Sequence, residues 1–374
     1  MQQAMRRPHV VVDMTIPRRL LTGTSTYANE LLAVLQEGGR FHITTLCGPI
    51  PRRHGGLWKL WNGLRDLFWI QVTLPIRLGR IKPDILFAPS YLAPALCPCA
   101  LVLTVHDTLY RDGVGKFRDR LFGLYFRLSV YAAIRRAAII CTVSEFSRNE
   151  IVSAYRVEPD RIRVTYPGVS SRYRPQSAMQ TAAVRKKYNL PRPFFLFVGS
   201  WEPRKNIPRL IDAFRIFCRD APEEYDLVLV GPTGSGEQEV RERILDLGLE
   251  DRVRTPGFVP DEDMPSLYAA AEALVFPSLG EGFGFPIIEA MACGTPVIIS
   301  RASCLPEIAG AAALLIDPEN PGDIAHAMRE LLRAEVRTDL SRRGLERARV
   351  FTWETTARET ELAFAAALGE QVHE

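Results

Sequence analysis

Short runs of apolar residues alternate along this chain with longer segments in which apolar residues recur every three or four positions. The short runs predict buried strands, and the longer segments predict amphipathic helices. The strand-like runs of the first half are Val10–Val12, Ile43–Leu46, Ile85–Ala88, Leu101–Val105, Ala138–Val143 and Ile162–Thr165. Strands that alternate with helices in this way form parallel, doubly wound sheets, so the predicted fold class is α/β.

A second series of the same kind starts at Phe194–Val198 and continues with an amphipathic helix that contains Leu210 and Phe214. Because 374 residues can build two hydrophobic cores, we expect two Rossmann-like domains. The predicted boundaries are 1–170 for the first domain, 171–192 for a linker with one short helix, and 193–352 for the second domain.

The strongest chemical signal lies in a strand-to-helix connection at residues 278–296, which follows the buried strand Ala273–Phe276. Pro286 suits the first position of the helix, because its missing N–H needs no partner there. Gly294 suits the left-handed residue just past the helix end. The glycine-containing loop before the helix lets backbone N–H groups approach a ligand at a helix N-terminus, where phosphate and other polar oxygens are favoured.

A carboxylate lies at each end of this loop, Glu281 before it and Glu289 one turn into the helix. Hydrogen-bond donors flanked by acceptors suit a polyhydroxylated ligand that carries phosphate, which is the description of a sugar nucleotide. A retaining glycosidase needs two carboxyl groups about 5–5.5 Å apart on either side of one bond. Such a close pair is disfavoured here, because Glu289 lies in the helix and Glu281 lies before its start. Taken alone, each carboxylate also has a structural explanation, as a charge that complements the helix dipole or as a solvated helix residue.

Two adjacent cations, Arg204 and Lys205, follow the first strand of the second domain, where they can clamp a diphosphate. The acidic stretch Asp261–Asp263 has the spacing of a metal-binding Asp-x-Asp motif. We reject that interpretation, because Asp261 precedes a helix and is expected to cap it.

In the first domain, Gly23 and Thr24 form a predicted glycine turn between a strand and a helix, where open α/β sheets bind phosphates. His106 follows a strand at its carboxyl end, although a single histidine is more often structural. Ser144 is expected to cap the next helix.

The segment Gly-Glu281-Gly-Phe-Gly-Phe-Pro-Ile-Ile-Glu289-Ala-Met-Ala-Cys-Gly-Thr-Pro-Val strongly resembles glycosyltransferase family 4, and further motifs follow in the family's order. The resemblance implies the GT-B fold, in which two Rossmann-like domains face each other across a cleft. It also implies transfer of a sugar from a nucleotide diphosphate to an acceptor hydroxyl with retention of configuration. Residues 353–374 resemble the family's C-terminal segment, which returns towards the first domain.

The resemblance assigns roles to particular residues. Arg204 and Lys205 would stabilise the leaving diphosphate, Glu281 would bind the sugar hydroxyls and Glu289 the ribose hydroxyls. The implied catalytic set is His106, Arg204, Lys205 and Glu281. The implied donor-binding set is Gly23, Thr24, Gly257, Phe258, Val259, Gly282, Phe283, Gly284, Phe285 and Glu289.

The segment Glu202–Asn206 is similar to the mannosyltransferase-like subgroup, which favours GDP-mannose as the donor. Many family members carry an Arg directly after the preceding glycine, where this chain has Ser200. With cations at the diphosphate, no metal and no other cofactor is required. A nucleotide-sugar epimerase of the same architecture and a non-catalytic nucleotide-sugar-binding protein remain open as alternatives.

Charge is distributed unevenly along the chain. Residues 1–174 hold 25 Lys and Arg against 12 Asp and Glu, whereas the remainder holds 22 against 31. Two stretches, 51–82 and 111–136, combine basic with aromatic residues and have helical spacing, as an interfacial helix requires. The simpler interpretation is that their aromatics pack into the core. We hypothesise peripheral attachment to an anionic membrane, which would also explain a lipid-linked saccharide acceptor.

The cysteines and the lengths of the apolar runs indicate the cellular compartment. Seven cysteines without a framework of spacings indicate a reducing environment, and Cys97-Pro98-Cys99 is too tight for a usual zinc knuckle. No signal-length apolar core and no apolar run of about 18 residues occurs. We therefore expect a cytoplasmic protein, peripheral on the inner face of the membrane, with no nucleic-acid partner.

Overall fold

The computed structural model describes residues 6–17, 23–49, 65–109, 120–221 and 223–370, and it describes the side chains of 120–122 no further. The strands are β1 His9–Asp13, β2 His42–Leu46, β3 Ile85–Ala88, β4 Ala100–Thr104, β5 Ile139–Thr142, β6 Ile162–Val164, β7 Phe194–Val198, β8 Asp226–Val230, β9 Val253–Gly257, β10 Ala273–Phe276, β11 Val297–Ser300 and β12 Ala313–Ile316. The predicted α/β class with two parallel sheets is confirmed.

Helices follow most of these strands. They are α1 Gly23–Gly38, α2 Leu74–Ile81, α3 Arg120–Arg136, α4 Glu145–Tyr155, α5 Ala178–Lys187, α6 Ile207–Asp220, α7 Glu237–Asp246, α8 Met264–Ala270, α9 Phe285–Ala292, α10 Leu305–Ala309, α11 Pro321–Glu330, α12 Ala334–Ala348 and α13 Trp353–Ala367. A π-helical turn, Trp69–Thr73, leads directly into α2.

The chain forms two compact units. Unit 1 contains residues 1–168 together with 353–374, and unit 2 contains residues 169–352. The segment that the sequence assigned to a linker carries the short helix α5. This helix belongs to unit 2, where Lys187 at its end forms an ion pair with Asp263.

Unit 1 is built on a six-stranded parallel sheet of order β2-β1-β3-β4-β5-β6. Val11 at its centre pairs with Thr44 on one side and Leu86 on the other. Helix α13 completes the core, because Phe364 packs against both Phe41 and Phe87 with ring centroids 5.3 and 5.2 Å apart.

Unit 2 is built on a second parallel sheet of order β12-β11-β10-β7-β8-β9. Its first strand, β7, therefore lies between β8 and β10, and the connections leave in opposite directions from this point. Open α/β sheets bind their ligands at such a switch point, outside the carboxyl ends of the two strands. The loops after β7 and β10 are thus the expected place for a site.

Local predictions that depended on short-range rules are confirmed. Strands β3, β7 and β10 have the predicted bounds. Pro286 lies in the first turn of α9, and Gly294 just past its end is left-handed, with φ of 79°. Ser144 caps α4 by accepting a hydrogen bond from the Ser147 N–H, at 3.1 Å.

Two local predictions are wrong. Gly23 and Thr24 do not form a turn but lie in the first turn of α1, where the earliest N–H groups need no helical acceptor and glycine is tolerated. Asp261 does not cap α8: the capping position is Asp263, and its carboxylate instead accepts from the Tyr188 hydroxyl at 2.6 Å. Asp261 forms an exposed ion pair with Arg172.

Candidate functional site

The loop after β7 is locked to the loop after β10 by one asparagine. Asn206 follows the 3₁₀ turn Pro203–Lys205 and adopts the left-handed conformation, with φ of 61°, which asparagine tolerates better than most residues. Its buried amide nitrogen donates to the carbonyl oxygens of Pro277, at 3.1 Å, and Pro318, at 2.6 Å. The two preceding cations are therefore held at the switch point by backbone geometry.

Glu281 lies between these two cations. The guanidinium of Arg204 donates to one carboxylate oxygen at 2.7 Å, and the ammonium of Lys205 donates to the other at 2.6 Å. Arg204 also donates to the carbonyl of Gly280, at 3.2 Å, and to Glu202, at 3.0 Å. The sequence-predicted residues Arg204, Lys205 and Glu281 are thus brought together as one ion-paired cluster.

The cluster is partly buried, and its two cations are matched by two carboxylates. Lys205 and Glu281 are 7% and 8% exposed, whereas Glu202 is only half-buried. Burial acts to raise the pKa of Glu281, but the charges of Lys205 and Arg204 outweigh it and hold this pKa below its ordinary value. Glu281 is therefore ionised, and the cations of Arg204 and Lys205 are balanced by the carboxylates of Glu281 and of the more exposed Glu202.

Helix α9 begins directly beyond this cluster. Its capping residue, Gly284, has φ of 97°, and an added Cβ would lie 3.1 Å from both Ile287 and Leu305. Phe283 is buried against Phe285 and Phe351, with ring centroids 5.4 and 5.7 Å away. The predicted residues Gly282, Phe283, Gly284 and Phe285 thus form a rigid entry to the helix, whose first amides point towards its N-terminal side.

Glu289, one turn into α9, has a different environment. The Tyr268 hydroxyl donates to its carboxylate at 2.8 Å, and Tyr173 provides a second hydroxyl donor. Burial raises the pKa of Glu289 to about 7, while the two hydroxyls act in the opposite direction. Asp261 also raises this pKa and Arg172 lowers it, and Cys293 is a further neighbour. No cation forms a direct ion pair with Glu289 in the described residues.

The predicted base-binding residues follow β9, two strands from β7. Gly257 is left-handed, with φ of 79°, and its carbonyl accepts from the Gly231 N–H at 3.4 Å. Gly231 must be glycine, because an added Cβ would lie 2.3 Å from the carbonyl oxygen of Gly199. Val259 is buried, whereas Phe258 is 74% exposed and presents a free aromatic face.

His106 belongs to unit 1, as do Gly23 and Thr24. The imidazole is buried between Tyr27 and Tyr91, with ring centroids 5.1 and 5.7 Å away. Its Nε2 lies 3.3 Å from the Pro89 carbonyl, which can only accept, so Nε2 carries the proton and Nδ1 is the acceptor. Burial lowers the pKa of His106 to about 4, so the ring is neutral near pH 7.

The described residues contain neither a cluster of metal ligands nor a helix that could span a membrane. Within residues 6–17, 23–49, 65–109, 120–221 and 223–370, no group of three or more His, Cys, Asp or Glu side chains is placed to hold a metal ion. In the same ranges, no helix is both long and apolar enough to span a bilayer.

Sequence reasoning missed the residues that hold the predicted ones in place. Asn206 follows the two cations directly, so its position before a helix was a usable signal. Tyr173 and Tyr268 gave no local signal, since they lie far from Glu289 in the chain. Ser303, which accepts from the Glu281 N–H at 3.1 Å, is equally remote.

Two family models match this chain. A family model described as Glycosyltransferase Family 4 matches residues 22–173, and one described as Glycosyl transferases group 1 matches residues 180–349. The O-antigen chain mannosyltransferase B of Escherichia coli is 40% identical over 365 residues, which cover 91% of this chain and 95% of that protein. The serotype-specific mannosyltransferase WbdA of Escherichia coli is 29% identical over 312 residues, which cover 77% of this chain but only 37% of WbdA.

Solved structures share the fold. The sucrose-phosphate synthase of Thermosynechococcus elongatus matches with a TM-score of 0.78 at 20% identity, covering 97% of this chain and 100% of that one. Anabaena HepE in complex with UDP and glucose matches with a TM-score of 0.73 at 20% identity, covering 96% and 100%.

Proposed function

Because the chain belongs to glycosyltransferase family 4, we propose that it transfers a sugar, with mannose favoured, from a nucleotide diphosphate to an acceptor hydroxyl with retention of configuration. The observation that carries this proposal is the cluster of Arg204, Lys205 and Glu281 at the switch point of the second sheet. Its two cations are held beside the start of α9, so both the side chains and the helix terminus favour the diphosphate of a donor.

The chemistry follows from where charge develops. As the bond between sugar and phosphate breaks, negative charge grows on the leaving diphosphate, and Arg204 and Lys205 stabilise that charge without reorganising. Glu281 holds both cations in place, and its remaining lone pairs can accept from sugar hydroxyls. Glu289 accepts from the ribose hydroxyls once it is ionised.

Residues outside the cluster complete the proposed donor site. The backbone at Gly257 and Val259 holds the nucleotide base. Phe258, the residue between them, has an exposed ring. As the family resemblance implies, we propose that neutral His106 accepts from a hydroxyl of the sugar through Nδ1 and that Gly23 and Thr24 bind the diphosphate.

The named relatives support the sugar and the pathway class. The relative that covers 91% of this chain is a mannosyltransferase of O-antigen synthesis, so we infer GDP-mannose as the donor and a growing polysaccharide, free or lipid-linked, as the acceptor. The comparisons give no support to the epimerase alternative.

A transfer assay tests donor, catalysis and metal independence together. Purified protein is incubated with radiolabelled GDP-mannose or UDP-glucose and a saccharide acceptor, with and without excess EDTA. We expect transfer from GDP-mannose that persists in EDTA, since the two cations take the place of a metal. Activity that disappears in EDTA and returns with Mg²⁺ or Mn²⁺ would refute metal independence. Tight donor binding without transfer to any acceptor would favour the non-catalytic alternative.

We also propose that unit 1 attaches to an anionic membrane surface. Of the two stretches predicted from the sequence, residues 51–64 and 111–119 lie outside the described residues. In the described parts, two helical faces present apolar side chains that are 40–60% exposed. These side chains are Phe68, Val72 and Ile76 on one face and Leu124, Leu128 and Tyr131 on the other.

These two faces are fixed to the same loop of unit 1. The Ala95 N–H donates to the Gln71 side chain at 2.9 Å, and Arg136 donates to the carbonyl of Cys97 at 2.9 Å. An interfacial helix would expose its aromatic residues. Phe68 is exposed, whereas Trp69 is buried under the guanidinium of Arg77. Basic residues beside exposed apolar ones suit an interface with anionic lipid, where each cation contributes about 1 kcal/mol.

Co-sedimentation with liposomes tests this attachment. Binding should occur with anionic but not with neutral vesicles, and it should weaken at high salt. The double variant Leu124→Ser/Leu128→Ser should bind several-fold less, whereas Leu245→Ser, which changes a leucine of unit 2 that is 61% exposed, should not differ from wild type. Equal, negligible binding to both kinds of vesicle would leave a soluble acceptor as the better answer.

A further inference from the structure

Two cysteines of unit 1 are in contact. All seven cysteines of the chain lie in the described residues and are free thiols. The sulfur atoms of Cys97 and Cys99 are 3.6 Å apart, and Pro98 between them has a fixed φ that limits how far the two side chains can separate. Cys97 is buried and Cys99 is partly exposed, so the pair has one protected and one accessible thiol.

The surroundings make the two thiols unequal. The Cys97 and Cys99 sulfurs share a hydrogen bond, and the exposed cation Arg136 donates to the carbonyl of Cys97 in the same loop. Both interactions lower the pKa of Cys97, while the pKa of Cys99 is raised. Burial raises the pKa of Cys141, Cys293 and Cys304, so those thiols are expected to be inert.

We propose that Cys97 and Cys99 are a redox-active dithiol whose closure to a disulfide alters the loop that positions His106. With oxidised glutathione as the oxidant, Cys99, the accessible thiol, loses its proton, attacks one sulfur of that disulfide and expels a glutathione thiolate. The Cys97 thiolate then attacks the Cys99 sulfur of the mixed disulfide and expels the second glutathione thiolate. Two protein thiols are oxidised by two electrons, and one oxidised glutathione is reduced to two thiols.

The loop between β3 and β4 connects the dithiol to His106. The Pro89 carbonyl at its beginning accepts from His106, and the Tyr91 ring packs on the imidazole. The dithiol lies at its end, immediately before β4. A disulfide requires the two sulfurs to close from 3.6 Å to about 2.05 Å, so this short loop must adjust when the bond forms.

The first experiment locates the bond. Reduced full-length protein is exposed to a series of oxidised glutathione concentrations, quenched with an alkylating agent and analysed by peptide mass spectrometry. We expect the peptide that spans 97–99 to lose two hydrogens, at a rate more than about tenfold above the modification of Cys293 or Cys304. In Cys97→Ser, Cys99 should instead keep a bound glutathione, whereas Cys293→Ser should behave as wild type.

The second readout is independent of any transferase activity. The imidazole signals of His106, assigned by comparison with His106→Gln, are followed by NMR during oxidation of wild type and of Cys99→Ser. A shift in wild type alone supports the proposal. Full alkylation of both cysteines after exposure to excess oxidised glutathione would overturn it. So would an unchanged His106 signal in protein whose disulfide is fully formed.

Discussion

Glu281 and Glu289 are eight positions apart in one strand-to-helix connection, yet the protein treats their charges in opposite ways. Glu281 is compensated by the buried cation of Lys205 and the partly buried cation of Arg204, which hold its pKa below the ordinary value. Among the described residues, the direct side-chain partners of Glu289 are tyrosine hydroxyls, and burial raises its pKa to about 7. Glu281 is neutralised by cations of the protein itself, whereas Glu289 can still accept hydrogen bonds from a ligand.

This difference means that stability and binding should separate between the two sites. A buried ion pair that loses one member leaves an uncompensated charge. A buried carboxylate without a cation already costs the folded state free energy whenever it is ionised. The two residues are therefore expected to give opposite results when each is made neutral.

The largest effect is expected from Glu281→Gln. This change leaves the buried Lys205 without its carboxylate, while Arg204 keeps Glu202 as an acidic partner, so the free energy of unfolding should fall by about 3–5 kcal/mol. Chemical denaturation measures this, and the double variant Glu281→Gln/Lys205→Met should recover part of the loss. A variant within about 1 kcal/mol of wild type would show that the ion-paired cluster does not stabilise unit 2.

Glu289→Gln should weaken binding of the donor without destabilising the fold. Loss of a charged hydrogen bond costs about 1.5–3 kcal/mol, so donor affinity measured by calorimetry should fall roughly 10-fold to 150-fold. The folded pKa lies above the ordinary value of 4.5, so wild type loses stability as pH rises from 4.5 to about 7. The variant lacks this loss, and its advantage should grow over that range to about 1–3 kcal/mol. Wild-type donor affinity in the folded variant would refute the ribose assignment.

A smaller effect is expected from Tyr268→Phe. Donor binding should improve as pH rises through about 7, because only the ionised Glu289 accepts from ribose. The Tyr268 hydroxyl favours the ionised form, so its removal should move the midpoint of this pH profile upwards by about 0.5–1 unit. The matched control is Tyr225→Phe, which removes another buried tyrosine hydroxyl that donates to a carboxylate, Glu223 at 3.1 Å. A midpoint that moves equally in both variants would contradict the assignment.

The sequence predicted the elements whose signals are local. Strand β10 is a continuous apolar run, and Pro286 and Gly294 mark the two ends of α9 by their backbone preferences, so all three could be placed without a structure. The prediction that Asp261 caps α8 failed because the tertiary structure decides which carboxylate lies at the capping position and which groups it binds. Lys187 and Tyr188, some 75 residues earlier, bind Asp263.

The chemistry of the site was only partly accessible in the same way. Arg204, Lys205, Glu281 and Glu289 were identifiable as charged residues near glycine turns. The difference in pKa between Glu281 and Glu289 was not identifiable, because it depends on Tyr173 and Tyr268 at Glu289 and on burial at both carboxylates. Burial of a charge is a property of the packed sheet and cannot be deduced from one segment of the chain.

Helix α13 has a consequence for synthesis of the protein on the ribosome. Phe364 fills the core of unit 1 between Phe41 and Phe87, but it is translated after the whole of unit 2. At about 5–20 residues per second, the N-terminal unit waits roughly 10–40 seconds for its last helix. During that interval its apolar surface is exposed in the nascent chain, so unit 2 is the first of the two that can complete its fold, and unit 1 is the natural client of a chaperone.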